Sequence, residues 1–326
     1  METKKNIAVV AGGNSSEYYI SLKSADQIAN SISKQKYNVF VVLLKGCDWT
    51  LTNEPYKGIE IDKNDFSFID NGQKVKFDCV FPAIHGTPGE NGLLQGYLDM
   101  LKIPYVGCNV LASSLTFNKY YCNSYLKNFK VNISDSILVR NGQNIDENKI
   151  IEKVGLPCFV KPNAGGSSFG ITKVKEQNQL KDSIDKAFKE SDEVIIERFV
   201  GGREFTCGLF KTKEKSILLP LAEIVSKHEF FDYDAKYNSA LNEEIIPAPI
   251  SDELTKKCQK LSSEIYDLLN CKGIVRIDYI LKDDEFWFLE INTIPGMTSE
   301  SIVPKMVRNF GMTFDEVADI LINSEI

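Results

Sequence analysis

The chain has 326 residues, of which 43% are hydrophobic and 25% charged, a composition typical of globular proteins. This length predicts two or three domains with substantial cores. The net charge of −7 argues against a nucleic-acid-binding protein, which needs a basic surface. No apolar run approaches the roughly 18 residues of a membrane span. Eight scattered cysteines without a CxxC pair, and an N-terminus without a signal-peptide core, predict a cytoplasmic protein with free thiols.

Residues 1–107 alternate predicted strands with predicted helices. KNIAVVA, YNVFVVLL and FDCVFPAIH are expected to be strands, and SLKSADQIANSI and GLLQGYLDMLK to be helices. This order predicts a mostly parallel, Rossmann-like sheet with ligands at the carboxyl ends of its strands. Glu17 lies near the first helix start, where it either binds a substrate ammonium or simply faces the helix dipole. His85 ends a strand and is either part of an active site or structural.

Residues 108–200 predict a small α+β unit. Helical sequence (ASSLTFNKYYCNSYLKNF) precedes the strands SILVR, FVKP and ITKVK, the helix QLKDSIDKAFKES and the strand EVIIERFV. In FVKPNAGGSSFGI, glycine N–H groups and serine hydroxyls after Lys161 predict a hairpin lid over phosphates, with a plain glycine-rich turn as the alternative. The segment EVIIERFVGGREF predicts a hinge that contacts adenosine, partly through Glu204, or else an ordinary connecting strand.

Residues 201–326 begin with the predicted strands EFTCGLF and SILLPLAEIV. The aromatic and acidic segment HEFFDYDAKYNS, which contains Lys236 and Tyr237, is expected to be a loop that closes over a ligand or packs against a partner. The helix SDELTKKCQKLSSEIYDLL follows, then a β-hairpin formed by VRIDYIL and FWFLEIN, and finally one helix.

The hairpin carries the strongest chemical signal in the chain. Side chains two positions apart on a strand share a face, so Arg276 points with Asp278, and Glu290 points with Asn292. Two carboxylates and an amide oxygen suit a Mg²⁺ ion that also holds phosphates. The alternative is an edge hairpin with a solvated polar face, but charges among aromatic and branched neighbours need partners.

Taken in chain order, the motifs resemble those of the D-alanine–D-alanine ligases, a family of the ATP-grasp superfamily. The resemblance covers essentially the whole chain. It rests on GGNSSEYYISL, AIHGTPGENGLLQGYL, FNK, FVKPNAGGSSFG, IIERFVGGREFT, FDYDAKY, GIVRIDYIL and LEINTIPGMTSESIVP. It implies a three-domain ATP-grasp fold of mixed α/β and α+β structure. The implied units are an N-terminal substrate domain (1–107), a central lid domain (108–200) and a C-terminal catalytic domain (201–326).

The resemblance also implies an activity. The expected reaction joins two D-alanines through an acyl phosphate, for peptidoglycan precursor synthesis, with ATP and two Mg²⁺ ions, or Mn²⁺ as the alternative metal. A cytoplasmic homodimer without nucleic-acid or membrane partners is implied as well. The near alternatives are another ATP-grasp carboxylate–amine ligase and a D-alanine–D-lactate ligase, against which Tyr237 argues. The distant alternatives are a nucleotide sensor on the same fold and a dinucleotide-dependent dehydrogenase. This chain lacks the GxGxxG motif that the dehydrogenase would need.

The family's residue roles map onto matching positions of this chain. Glu17 is expected to bind the first ammonium, and Ser167 and Tyr237 to join it in a lid latch. Arg276 and the Gly296 N–H are the implied oxyanion hole. The second carboxylate is assigned to Ser301 and Ile302, with His85 beside the substrates. The metal ligands are Asp278, Glu290 and Asn292. The ATP contacts are Lys119, Lys161, Glu197, Arg198, Val200, Glu204 and Lys236.

Two positions depart from the family pattern. Arg198 stands where many members have lysine, and the two side chains differ in geometry. The first motif reads EYYISL where many members read EREVSL, so the polar surroundings of Glu17 are expected to differ.

Overall fold

A computed structural model describes residues 4–166, 170–226 and 242–326 of the chain. The predicted site residues Ser167, Lys236 and Tyr237 lie outside these ranges. Within them, no helix is long and apolar enough to cross a membrane.

The first unit is a sheet with strand order β3-β2-β1-β6. Its elements are β1 (Lys5–Gly12), α1 (Tyr18–Ser31), β2 (Tyr37–Lys45), β3 (Asp48–Leu51), the hairpin of β4 (Ser67–Asp70) and β5 (Gln73–Lys76), β6 (Cys79–Pro82) and α2 (Leu93–Leu101). Strand β1 is parallel to β2 and β6, while β3 is antiparallel to β2. The mostly parallel sheet is confirmed, and the segments that carry Glu17 and His85 follow the carboxyl ends of β1 and β6.

The second unit is an antiparallel sheet with strand order β7-β10-β8-β9. Its elements are α3 (Val110–Phe117), α4 (Lys119–Lys127), β7 (Ser136–Arg140), α5 (Glu147–Val154), β8 (Cys158–Pro162), β9 (Thr172–Val174), α6 (Leu180–Ala187) and β10 (Glu193–Arg198). Strands β8 and β9 form the predicted hairpin. Helix α5 was not predicted; it is capped by Asp146 and buries only Ile150 and Val154.

The third unit is an antiparallel sheet with strand order β14-β13-β11-β15-β16, and β12 pairs beside β11. Its elements are β11 (Arg203–Lys211), β12 (Ser216–Leu218), β13 (Ala222–Ser226), β14 (Asn242–Ile245), α7 (Asp252–Leu268), β15 (Gly273–Lys282), β16 (Glu285–Asn292), α8 (Ile302–Phe310) and α9 (Phe314–Asn323).

Two predictions about this unit are wrong. SILLPLAEIV forms two strands because Pro220, between β12 and β13, has no N–H for a sheet. The single final helix is two helices. Gly311 ends α8 in the left-handed region at φ 89°, and Thr313 with Glu316 forms a capping box that starts α9.

The first and third units share one apolar core. Ile7 and Val9 of β1 belong to the same buried cluster as Met306 and Val307 of α8 and Leu321 of α9. Because apolar side chains from both units are buried in this one cluster, the two units are held in a fixed arrangement. The segments after β1 and β6 are therefore held beside the end of the β15–β16 hairpin.

Candidate active site

The β15–β16 hairpin gathers its polar side chains on one face, as predicted. Asp278 lies opposite Glu290, and Arg276 opposite Asn292. Arg276 donates to both oxygens of Asp278, with Nε–Oδ1 at 2.9 Å and Nη2–Oδ2 at 2.8 Å. Asn292 Nδ2 donates to Oδ2 at 3.2 Å, and Thr206 Oγ1 to Oδ1 at 2.6 Å. The Asp278 carboxylate is thus fixed in place by three neighbours.

The donor set fits a metal that arrives with phosphate. Across the described ranges, no group of three or more His, Cys, Asp or Glu side chains could hold a metal ion. The hairpin offers two carboxylates, Asp278 and Glu290, and the Asn292 amide, whose nitrogen faces Asp278 and leaves its oxygen for another partner. Mg²⁺ needs an octahedral oxygen shell, so phosphate oxygens and waters must complete it.

Two lysines place positive charge beside this face. Lys119 Nζ lies 3.3 Å from Glu290 Oε2 and donates to the Gly165 carbonyl at 2.9 Å. Lys161 Nζ lies 2.7 Å from Glu197 Oε2. Burial acts to lower the pKa of Lys161, but the negative charge of Glu197 and other nearby carboxylates outweighs it and raises the pKa. Lys161 therefore stays a cation, which suits contact with a phosphate.

A cleft of about 420 Å³ opens beside the hairpin, large enough for a nucleotide. Aromatic and aliphatic side chains offer stacking surface for a base, and Glu197 and Glu204 offer hydroxyl acceptors. Its lining includes Phe159, Lys161, Glu197, Arg198, Phe199, Val200, Glu204, Arg276, Asp278, Trp287, Phe288, Leu289, Glu290 and Ile302. Most of the predicted ATP and metal residues therefore border one cavity.

The Arg198 side chain has partners in the second unit. Its guanidinium lies 3.3 Å from Asp135 and donates to the Lys153 carbonyl at 3.1 Å. More than half of the side chain is exposed. Arg198 therefore lines the cleft while its guanidinium is bonded to residues of the second unit.

Gly166, in the segment between β8 and β9, lies directly against Glu17. A Cβ atom on Gly166 would overlap Glu17 Oε2, so any larger residue there requires the Glu17 carboxylate to move. Glu17 is 8% exposed and precedes α1 without capping it. Gly165 and Gly166 also border a second cavity with Lys119, Glu290 and Asn292. The structure therefore brings the predicted ammonium ligand Glu17 and the predicted phosphate contact Lys119 to the same loop.

His85 uses both ring nitrogens on the protein. Nε2 lies 3.0 Å from Ser24 Oγ, and Nδ1 lies 2.9 Å from the Ile294 carbonyl. Burial lowers the pKa of His85, although the charge of Glu17 acts the other way. The ring is therefore neutral and is bonded to α1 on one side and to the loop after β16 on the other.

The loop after β16 brings Gly296 and Ser301 together. A Cβ on Gly296 would lie 2.9 Å from Ser301 Oγ. That hydroxyl also bonds Thr298, with the two side-chain oxygens 2.8 Å apart. Ile302 is the first residue of α8, where backbone N–H groups have no helical partner and favour anions. The arrangement could hold a carboxylate, as predicted for the second substrate.

Sequence reasoning missed two buried residues. Glu90 is 9% exposed and accepts the Gly86 N–H at 2.7 Å. Asn163 is fully buried; its carbonyl accepts the Lys119 N–H at 3.0 Å, and its Oδ1 accepts the Tyr120 N–H at 2.8 Å. A polar residue directly after Lys161-Pro162 was the available signal for Asn163. No local signal distinguished Glu90 from a solvated loop carboxylate.

A glycine lid, paired carboxylates on a hairpin and lysines between two α+β units define the ATP-grasp class. The chain matches the family model for the D-ala D-ala ligase N-terminus over residues 6–108 and that for the C-terminus over residues 125–323. It therefore belongs to the D-alanine–D-alanine ligase family and has the ATP-grasp fold, which confirms the predicted family.

Curated relatives agree along their whole length. The D-alanine--D-alanine ligase of Bacteroides fragilis (strain YCH46) is 52% identical over 322 residues, covering 98% of this chain and 99% of the relative. That of Porphyromonas gingivalis (strain W83) is 48% identical over 316 residues, covering 96% of each.

Solved structures share the architecture. The D-alanyl-alanine synthetase A of Vibrio cholerae is 27% identical with a TM-score of 0.88 and covers 99% of both chains. The VanG D-Ala:D-Ser ligase of Enterococcus faecalis is 31% identical with a TM-score of 0.87, covering 99% of this chain and 100% of the neighbour. A Bacillus anthracis D-alanine--D-alanine ligase complexed with ATP is 29% identical with a TM-score of 0.79, covering 99% and 97%.

Proposed function

We propose that this enzyme joins two D-alanines to D-alanyl-D-alanine at the expense of ATP, for peptidoglycan precursor synthesis. The proposal is supported chiefly by one glycine loop, where Gly166 lies against the Glu17 carboxylate and the Gly165 carbonyl accepts a hydrogen bond from Lys119, which is paired with Glu290. An ammonium site next to a phosphate site suits a substrate that carries both an amine and a carboxylate to be phosphorylated.

ATP binding is assigned to the cleft between the lid hairpin and the β15–β16 hairpin. Lys119 and Lys161 are placed to contact phosphates, with Lys236 as a further predicted contact. Asp278, Glu290 and Asn292 would hold two Mg²⁺ ions, or Mn²⁺, which neutralise charge on the transferring phosphoryl group. The carboxylates are already ion-paired, so metal binding is expected to depend on bound nucleotide.

The first step phosphorylates a carboxylate. Glu17 holds the ammonium of the first D-alanine. The carboxylate of that D-alanine attacks the γ-phosphate of ATP, giving an acyl phosphate and ADP. The lid, through Gly166 and the predicted latch residues Ser167 and Tyr237, excludes water that would hydrolyse this intermediate. Positioning and electrostatics supply most of the catalysis in such transfers.

The second step forms the peptide bond. The amine of the second D-alanine attacks the acyl carbon, a tetrahedral oxyanion forms, and phosphate leaves. Arg276 and the Gly296 N–H are assigned to the oxyanion, and Ser301 with the Ile302 N–H to the second carboxylate. Arg276 is well suited because its bidentate pairing with Asp278 fixes its orientation. Losing one oxyanion donor typically lowers the rate ~10²–10³-fold.

We also propose a cytoplasmic homodimer with three domains, at 1–107, 108–200 and 201–326. The family-model matches, which end at residue 108 and resume at 125, support the first boundary. Free thiols support a reducing compartment. The dimer is supported by exposed apolar side chains on α2 and α3, with Leu93 at 62%, Met100 at 78% and Leu111 at 68% exposure. Light scattering of the purified protein tests the dimer.

The direct test of the activity measures ADP and dipeptide together. The purified enzyme with ATP, Mg²⁺ and D-alanine should form both in equal amounts, and L-alanine should not replace D-alanine. Glu290→Gln should abolish turnover, while Glu285→Gln, at the exposed start of the same strand, should not. ADP formation that does not depend on D-alanine would sink the proposal. D-serine and D-lactate as second substrates distinguish the neighbouring ligase activities.

A further inference from the structure

The loop after β16, residues 293–297, is bonded to the first unit at two points on either side of Gly296. The Ile294 carbonyl bonds His85 Nδ1 at 2.9 Å, and the Met297 N–H donates to Ser24 Oγ at 3.4 Å. Ser24 Oγ in turn lies 3.0 Å from His85 Nε2. Both attachments of this loop therefore lead to one imidazole ring.

The chemistry of the partners fixes the state of that ring. A carbonyl only accepts hydrogen bonds, so the proton on His85 must be on Nδ1, which donates to Ile294. Ser24 accepts the Met297 N–H and is free to donate its own proton to Nε2. His85, Ser24 and Met297 are at most 5% exposed, so water cannot readily replace these bonds. The neutral ring expected from burial satisfies every group in the chain of bonds.

Glu90 strengthens the same attachment. Its carboxyl accepts the Gly86 N–H at 2.7 Å, and the Ile294 backbone acts to lower its pKa. The segment 85–90 thus reaches Ile294 through His85, which bonds its carbonyl, and through Glu90. It is itself held by Gln95 of α2, which donates to the Gly89 carbonyl at 2.6 Å. Two buried side chains, His85 and Glu90, therefore act on one residue of the loop.

We propose that His85 is a positioning residue that holds the 293–297 loop so that the Gly296 N–H stays at the acyl centre. The inference rests on the proposed function, because it uses the Gly296 N–H as an oxyanion donor. It differs from a direct substrate contact, since both ring nitrogens are already bonded to protein groups. Its effect falls on the second step, where the oxyanion forms.

The expected consequence is uncoupling of the two steps. Without the ring, the acyl phosphate still forms, but its aminolysis slows while water continues to attack it. His85→Ala should lower dipeptide turnover about 10²-fold, a loss that a misplacement near 1 Å can cause. The ratio of ADP to dipeptide should rise above one, and the KM for ATP should stay unchanged. A residue with a purely structural role would lower both products together.

The closing experiment compares His85→Ala, His85→Asn and Ser24→Ala by parallel measurement of ADP and dipeptide. Asparagine can restore the donor to Ile294, so His85→Asn should recover most of the coupling. Ser31→Ala is the matched control and should remain coupled, because Ser31 is a buried serine on the same helix whose hydroxyl accepts from the Gln27 amide at 3.3 Å. Melting curves check folding, and His85→Asn and Ser24→Ala keep the test valid should alanine at 85 unfold the protein.

The outcomes separate this inference from the proposed function. If the native enzyme makes no dipeptide, the proposed function fails, and the inference with it. If the native enzyme couples the two products one to one and the folded His85 and Ser24 variants do the same, only the inference fails. A His85→Ala variant that raises the KM for D-alanine but stays coupled would assign the ring to substrate contact and overturn the positioning role.

Discussion

Replacing the buried carboxyl of Glu90 with the amide of glutamine should stabilise the folded protein at neutral and alkaline pH. Burial, and then the negative charge of Glu17, raise the pKa of Glu90 from 4.5 to about 8, against the opposing effects of the Gly86 N–H and Lys119. Glutamine keeps the size of the side chain and an oxygen that can accept the Gly86 N–H. It removes the charge that burial penalises.

The sign follows from proton binding. The folded pKa lies above the unfolded value, so the folded state holds the Glu90 proton more tightly. The contribution of the Glu90 proton to the free energy of unfolding is fully present below about pH 4.5 and is lost as the pH rises to about 8. At ~1.4 kcal/mol per pH unit, the whole gap corresponds to an upper bound of about 5 kcal/mol. Between pH 5.5 and 8.5, the native protein should lose about 3 kcal/mol relative to Glu90→Gln.

Urea unfolding of both proteins at pH 5.5 and 8.5 measures this difference directly. Glu214→Gln, in the exposed turn between β11 and β12, controls for the loss of a surface charge. The reasoning is refuted if the free energies of unfolding of the native protein and Glu90→Gln change by the same amount between pH 5.5 and 8.5. The result does not depend on substrate, metal or catalytic activity.

Four glycine-to-alanine substitutions test the packing of the backbone. Gly166→Ala should drive its Cβ into the Glu17 carboxylate, lowering kcat/KM for D-alanine about 10²-fold while calorimetry finds ATP affinity unchanged. Gly46→Ala (φ +58°) meets open space and should lower the free energy of unfolding by about 1–2 kcal/mol. Gly273→Ala (φ +66°) should lower it further in urea unfolding, because its Cβ would lie 2.7 Å from the backbone of Gly107. Equal losses in the two variants would refute the clash. Gly96→Ala, inside α2 with an ordinary 3.7 Å contact, should raise stability by about 0.5–1 kcal/mol, and a lower melting temperature would contradict this.

The sequence by itself determined the elements that follow from local periodicity. The β15–β16 hairpin and the shared face of Arg276 and Asp278 depend only on the two-residue repeat of a strand. The parallel sheet of the first unit follows from alternating strands and helices. Local rules also explain the errors, since Pro220 and Gly311 are breakers that sequence analysis passed over.

The tertiary structure alone decided which residues of the site meet. His85 and Ile294 are 209 positions apart, and no local pattern indicates that one ring nitrogen binds that carbonyl. The close approach of Gly166 to Glu17 and the raised pKa of Glu90 likewise depend on how the second and third units pack against the first. Such contacts arise from burial of a shared core, which fixes distances between segments that the sequence keeps far apart. The residue types of the site could therefore be predicted from the sequence. Their hydrogen-bond partners and charge states could be determined only from the tertiary structure.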